Sequence, residues 1–269
     1  MKNEFILKSF DLGILVCPSH KVELKKTVDS HDLICSFGCH YPIGRSYIDF
    51  LSNTESEPGD LNKKFQKFYD GWASIDWILG PIFRFFFKSK LLKFRHESLA
   101  EDLVKPGDKV LEVSVGMGDN LKYLPKDATY FGLDISKKSL ERCKKYLDSW
   151  GREASLFAGN AECLPFKDSS FDVVFHIGGI NFFDDRGKAI SEMIRVAKSG
   201  TKIVIVDETE QYVEGWYKKV PFLKQFFQSY DKTRTRAPID LIPKNMLDIK
   251  ESLICDNSMY SLSFITPEK

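Results

Sequence analysis

Four side chains near the N-terminus have the types and spacing of a metal centre. Cys17-Pro-Ser-His20 and Cys35-Ser-Phe-Gly-Cys39 form two short pairs with fourteen residues between them. Zinc takes nitrogen and sulfur ligands of this kind as a tetrahedron, and four protein ligands leave no position open for catalysis, so such a centre would be structural. His40 is the alternative to Cys39 as fourth ligand, and a ribbon that has lost its metal, with free buried thiols, is the competing reading. A second group could hold a nucleotide. In VLEVSVGMGDN, residues 110–120, Gly116 and Gly118 let the backbone turn tightly and approach a ligand where a Cβ would collide. Asp134, 22 residues beyond Glu112, closes the next strand, where a carboxylate can accept both hydroxyls of a ribose. A dinucleotide fingerprint wants a third glycine where this chain has Leu121, so the acid alone suits either NAD or S-adenosylmethionine. His176, Asp207 and Glu208 close later strands and are the remaining titratable candidates.

Positioning these residues requires a particular order of elements. Residues 14–52 hold short β-like runs without a helix, a small ribbon-like unit assigned to residues 1–52. Residues 53–63 are polar with Pro58 and Gly59, the composition of a linker. Residues 64–108 read as a helical, aromatic cap. From Lys109 strand and helix signals alternate: KVLEVSV, a helix near Asn120, TYFGLDI, a helix from Lys137 to Leu147, EASLFAG, FDVVFHI, a helix from Asp184 to Lys198, and TKIVIVDE. That alternation predicts a parallel sheet covered on both faces. After an insert at about 211–244, DIKESLIC and MYSLSFITP are separated only by DNS, which predicts an antiparallel hairpin. The core spans 109–269. The fold class is thus α/β, a doubly wound Rossmann-like sheet with a small N-terminal β ribbon.

Composition narrows the classes. The 269 residues carry 39 Lys and Arg against 38 Asp and Glu, a net charge of +1, which is not the excess of a general nucleic-acid binder. With 43% hydrophobic residues the chain is globular, and no apolar run reaches the roughly 18 residues needed to span a bilayer. The start, MKNEFILKSFDLGILVC, lacks a small-residue cleavage site, and six cysteines in a chain of this length suggest reduced thiols, so a cytoplasmic setting is expected.

Glu112-x-Ser114-x-Gly116-x-Gly118, then Asp134, then Gly-Asn-Ala-Glu-x-Leu-Pro-Phe at 159–166, then Phe-Asp-Val-Val at 171–174 resemble a class I S-adenosylmethionine-dependent methyltransferase. The similarity is strongest to the branch containing the ubiquinone/menaquinone-biosynthesis C-methyltransferases and covers roughly residues 64–269. It implies a seven-stranded sheet ending in an antiparallel strand. It also implies that Glu112, Ser114, Gly116 and Gly118 line the methionine end and Asp134 takes the ribose hydroxyls. Ile135 would then pack on adenine, Asn160 and Ala161 would read its edge, and Tyr69 in the preceding segment would neighbour the cofactor. Ser114 stands where glycine is commonest and Asn160 where aspartate is more usual. The cysteine pairs, followed by His-Tyr-Pro-Ile, are similar to small zinc-ribbon modules, with His20 replacing a cysteine.

Methyl transfer from a sulfonium needs alignment and desolvation more than a nucleophile or metal. Where the acceptor must lose a proton, His176 is the best-placed base on sequence grounds. Aromatic, locally basic segments, with Phe83, Phe85, Phe86 and Phe87 before the core and Trp216, Phe222, Phe226 and Phe227 in the insert, predict a small hydrophobic acceptor and allow peripheral membrane contact. RNA is the rival acceptor, because a ribbon also precedes the core in the rRNA guanine-N1 methyltransferases; a cofactor-binding adaptor without transfer is the third reading. Removal of metal is expected to loosen the ribbon and spare cofactor binding by the core.

Overall fold

A computed structural model describes residues 11–27, 32–53, 57–76, 103–217 and 232–268. Four short strands come first: β1 (Lys25–Lys26), β2 (Asp32–Ile34), β3 (His40–Pro42) and β4 (Ile48–Asp49). The first three form an antiparallel sheet of their own. A helix, α1, covers residues 60–76, so the segment expected to be a linker already turns helical near Asp60. The strands β5 (Lys109–Val113) and β6 (Thr129–Asp134), helix α2 (Lys137–Trp150), and strands β7 (Ser155–Ala158) and β8 (Val173–Ile177) follow. Helix α3 (Arg186–Val196), strand β9 (Lys202–Glu208) and the hairpin β10 (Leu247–Ile254) and β11 (Met259–Ile265) complete the chain.

The large sheet runs β10-β11-β9-β8-β5-β6-β7-β4. Its parallel strands are buried on both faces, which is why KVLEV, SLFA and VVFHI are nearly continuous apolar runs. β11 pairs antiparallel with β9 and β10 with β11, as the DNS turn predicts. The seven strands β5–β11 are the expected core set. The eighth, β4, comes from the ribbon and pairs in parallel with β7, Ile48 opposite Phe157 and Asp49 opposite Ala158. Tyr41 and Phe50 of the ribbon and Phe131, Phe157, Phe166 and Phe171 of the core pack in one continuous hydrophobic cluster. That continuity argues against a ribbon whose loosening leaves the core untouched.

Local chemistry sets the helix ends. The Ser136 side chain caps α2 by accepting from Ser139 N, and Gly151 ends the helix in the left-handed region, with Arg152 N reaching back to Leu147 O. The helix expected near Asn120 is instead a run of turns with Tyr123 N on Asn120 O. Only six residues separate Gly118 from Pro125, too few for a stable helix before a residue that cannot continue one. No helix among the described residues is long and apolar enough to cross a membrane. The aromatic and basic residues expected at 83–95, together with Phe222, Phe226 and Phe227, lie outside the described residues, as does the side chain of Trp216.

Gly132 in the centre of β6 faces Val115 on the loop after β5, and a Cβ there would meet all three branched carbons of Val115 within 3.0 Å. Gly132→Ala should therefore destabilise by about 1–3 kcal/mol through overpacking. Val115→Ala in the same chain should recover part of that loss, as read from denaturant unfolding of the two single variants and the double variant.

Candidate functional site

The carboxyl ends of β5, β6, β8 and β9 open into a cavity of about 420 Å³, a volume suited to a small ligand. This is where open α/β sheets bind, because the loops leaving parallel strands splay apart there. Of the residues expected at a cofactor, Tyr69, Ser114, Gly116, Asp134 and Ile135 line it.

Asp134 is nearly buried, and each of its oxygens accepts a backbone N–H: Gly116 N at 2.7 Å on Oδ2 and Ser136 N at 2.8 Å on Oδ1. Burial pushes its carboxyl up to about 6, against the opposing pull of those amides. Gly116 has φ +53°, and no atom stands within 4 Å of where its Cβ would be, so this stretch of backbone is bare toward the cavity. Ser114 explains why glycine is the commoner residue at its position: it holds φ +62°, in the left-handed region that costs an L-residue about 1–2 kcal/mol.

Glu112, Gly118, Asn160, Ala161 and His176 are not in the described cavity wall. Glu112 is fully buried one layer below, where Asn120 Nδ2 donates to its Oε1; Asn120 is the residue that lines the cavity. The other side-chain atom of Asn120, Oδ1, is a buried acceptor with no hydrogen-bond partner. Gly118 gives room to the Cys143 thiol, 2.7 Å from the position of its missing Cβ. Asn160 uses its carbonyl oxygen to cap Glu162 N at 3.0 Å, which shapes the short helical turn carrying Ala161. His176 is fully buried: Nδ1 donates to Val113 O at 3.0 Å and Nε2 accepts from Ile180 N at 2.9 Å. Burial pulls its pKa down to about 4, and both ring nitrogens are committed to backbone, which fixes the strand-end turn. Asp207 does the same from β9, accepting from Gly179 N, Asn181 N and Glu208 N.

The far wall is aromatic, and its rings come partly from a turn that the expected site residues do not include. Phe182, in the turn after β8, stacks on Phe65 of α1 at 4.1 Å between ring centroids, and Trp72 and Phe183 complete this side. In the sequence these rings are marked by Phe182-Phe183, just beyond the FDVVFHI strand. α1 is fastened across the cavity by polar contacts at both ends. Asp184 accepts from Leu61 N and Asn62 N at the start of the helix, supplying in trans the cap its first amides need. Further along, Gln66 donates to Ile135 O, Ser136 Oγ to Asp70, and Tyr146 to Asp76. Arg234 grips the other side of the aromatic turn, donating to the carbonyls of Asn181 and Phe183. The Tyr69 phenol is pushed far above its usual range by burial and by Glu208, Asp207 and Asp134, so it remains a hydroxyl at neutral pH.

Away from the cavity, Cys17, His20, Cys35 and Cys39 place one ligand atom each within 4.8 Å of all the others. His20 Nδ1 lies 3.4, 3.9 and 3.5 Å from the sulfurs of Cys17, Cys35 and Cys39. These are close to the edges of a tetrahedron built on zinc–ligand bonds of about 2.0–2.3 Å, roughly 3.5–3.8 Å. His40 is exposed and outside the cluster, so Cys39 and not His40 completes it.

A family model described as "Methyltransferase domain" matches residues 111–205. A ubiquinone/menaquinone biosynthesis C-methyltransferase of Wigglesworthia glossinidia brevipalpis is 32% identical over 131 residues, 46% of this chain and 50% of that protein. A demethylmenaquinone methyltransferase of Thermotoga maritima is 32% identical over 152 residues, 55% of this chain and 63% of that one. The chain thus spans between half and two thirds of the length of these curated relatives. A solved S-adenosylmethionine-dependent methyltransferase from Thermotoga maritima shares the fold, with a TM-score of 0.52 at 19% identity, covering 76% of this chain and 99% of that one. Residues 111–205 thus match the methyltransferase-domain family, and the chain is similar to the ubiquinone/menaquinone-biosynthesis C-methyltransferases.

Proposed function

We propose that the chain transfers a methyl group from S-adenosylmethionine to a small hydrophobic acceptor, and that its ribbon holds one structural zinc. The observation that carries the first reading is the polarity of the cavity: Asp134, Gly116 and Asn120 on one side, and Phe65, Trp72 and Phe182 on the other. The residues fit the cofactor. Each Asp134 oxygen accepts a backbone N–H and has a lone pair left for a ribose hydroxyl, Gly116 offers bare backbone, and the unpartnered Asn120 Oδ1 can accept from an ammonium group.

The bound cofactor supplies a methyl group on a sulfonium, an already activated leaving group. The chain's work is then alignment and dryness. The aromatic wall excludes water and gives a flat or lipid-like acceptor its packing surface, and Tyr69 adds a hydroxyl that stays protonated to the lining. Where the acceptor must lose a proton, Glu208, which lines the cavity at the end of β9, is the base in this reading and takes the role first assigned to His176. The quinone-biosynthesis names of the relatives support a hydrophobic acceptor, as does the near-neutral charge of the chain.

Two measurements bear on this reading. The ribose hydroxyls need an ionised carboxylate, and in the free protein that carboxyl is pushed up to about 6. Affinity for S-adenosylhomocysteine should accordingly be flat above pH 7 and fall as pH drops through 6, approaching about tenfold per unit. Calorimetry from pH 5 to 8 checks this, and an affinity constant across the whole range removes Asp134 from the site. For the acceptor, protein incubated with methyl-labelled cofactor and separate lipid, small-molecule and RNA fractions should label the lipid or small-molecule fraction, with little dependence on salt. Label confined to RNA, lost steeply with added salt, would replace this reading with the nucleic-acid one.

A further inference from the structure

The ribbon grips the loop between β7 and Phe166 from both sides. This loop, residues 159–165, carries Asn160 and Ala161, the positions expected at the adenine edge. On the upstream side β4 pairs with the end of β7, and Phe50 N donates to Ala158 O at 2.8 Å. On the downstream side Val16 N donates to Pro165 O at 3.0 Å, Lys21 Nζ to Leu164 O at 3.1 Å, and Leu15 bridges Phe166. Each gripping residue is tied to the cysteine–histidine cluster. Val16 directly precedes Cys17 and Lys21 directly follows His20. Tyr41, two residues beyond Cys39, sets its hydroxyl 3.1 Å from Cys17 Sγ and its ring 4.8 Å from Phe50. A further strut leaves β4: Asp49 pairs with Lys137 at 2.6 Å, in the first turn of α2, three residues after Asp134.

We infer that a metal in the Cys17, His20, Cys35 and Cys39 cluster and the adenosine portion of the cofactor are coupled ligands, each raising the affinity of the chain for the other. The inference rests on the zinc and cofactor readings proposed above. Its physical basis is the size of the ribbon. Strands of two and three residues cannot hold their own geometry, so the loops bearing Val16, Lys21 and Tyr41 depend on the metal to be ordered. An ordered ribbon holds both ends of the adenine loop in place before the nucleoside arrives, and a bound nucleoside holds the loop against which the ribbon folds. Linkage requires the effect to be reciprocal and of equal size.

The test uses the full chain under reducing conditions. Zinc content is measured first on protein purified without added metal and again after zinc loading. The loaded chain and a chelator-depleted one are then titrated with S-adenosylhomocysteine by calorimetry. The depleted chain should bind it about tenfold more weakly, within the usual range of allosteric coupling. In the reverse direction, zinc removal from the loaded chain by a chromophoric chelator should need a correspondingly higher chelator concentration when S-adenosylhomocysteine is saturating. This second arm uses only loaded, folded protein, so it decides the matter even where the depleted chain unfolds. Zinc retained and released identically with and without S-adenosylhomocysteine overturns the coupling. A chain that takes up no zinc overturns the metal reading beneath it, and a loaded chain that does not bind S-adenosylhomocysteine overturns the cofactor reading.

Discussion

The architecture of the site depends on one buried carboxylate. Asp134 ends the strand next to the centre of the sheet, at 7% exposure, where an uncompensated charge would cost several kcal/mol. Its compensation comes from Gly116 N on the loop after β5 and Ser136 N at the start of α2. Hydrogen bonds to a charged group contribute about 1.5–3 kcal/mol each, enough to hold both loops where the acid needs them. The balance is incomplete, which is why burial holds the carboxyl up at about 6.

From that point the contacts radiate outward. Ser136 passes the constraint to α1 through Asp70, and Lys137 passes it to the ribbon through Asp49. α1 lies across the cavity with Phe65 against Phe182, so the helix that covers the site also supplies half of its aromatic wall. His176 and Asp207, both fully buried, shape the turn bearing Phe182 through backbone bonds alone. These two strand-end groups are scaffolding, whereas Asp134 and Glu208, at the ends of β6 and β9, line the cavity.

Much of this was legible in the residues. Largely apolar runs of four to seven residues between polar helical segments mark the strands of a doubly wound sheet, because burial on both faces favours that composition. Gly116 and Asp134 were legible as cavity-lining positions, because a left-handed turn and a strand-end carboxylate demand particular residue types. The attachment of β4 was not: a two-residue strand pairs through its backbone, and nothing in Ile48–Asp49 names Phe157–Ala158 as its partner. The cap on α1 was hidden for a related reason, since Asp184 is more than 120 residues away in the chain. The strand–loop–helix habit of the fold suggests a helix near Asn120, but Pro125 leaves it no room. The motif at Asn160 does not reveal that its carbonyl also accepts from Glu162 N and so shapes its own loop.

The central claim is that Asp134 holds the ribose of an adenosyl cofactor, and calorimetric titration of Asp134→Ala beside the unaltered chain tests it most directly. The unaltered chain should bind S-adenosylhomocysteine and not NADH. The variant should lose a few kcal/mol, about a hundredfold in affinity, as two charge-assisted hydrogen bonds are removed. Equal affinity in the two proteins, or binding of NADH in place of S-adenosylhomocysteine, would contradict the account.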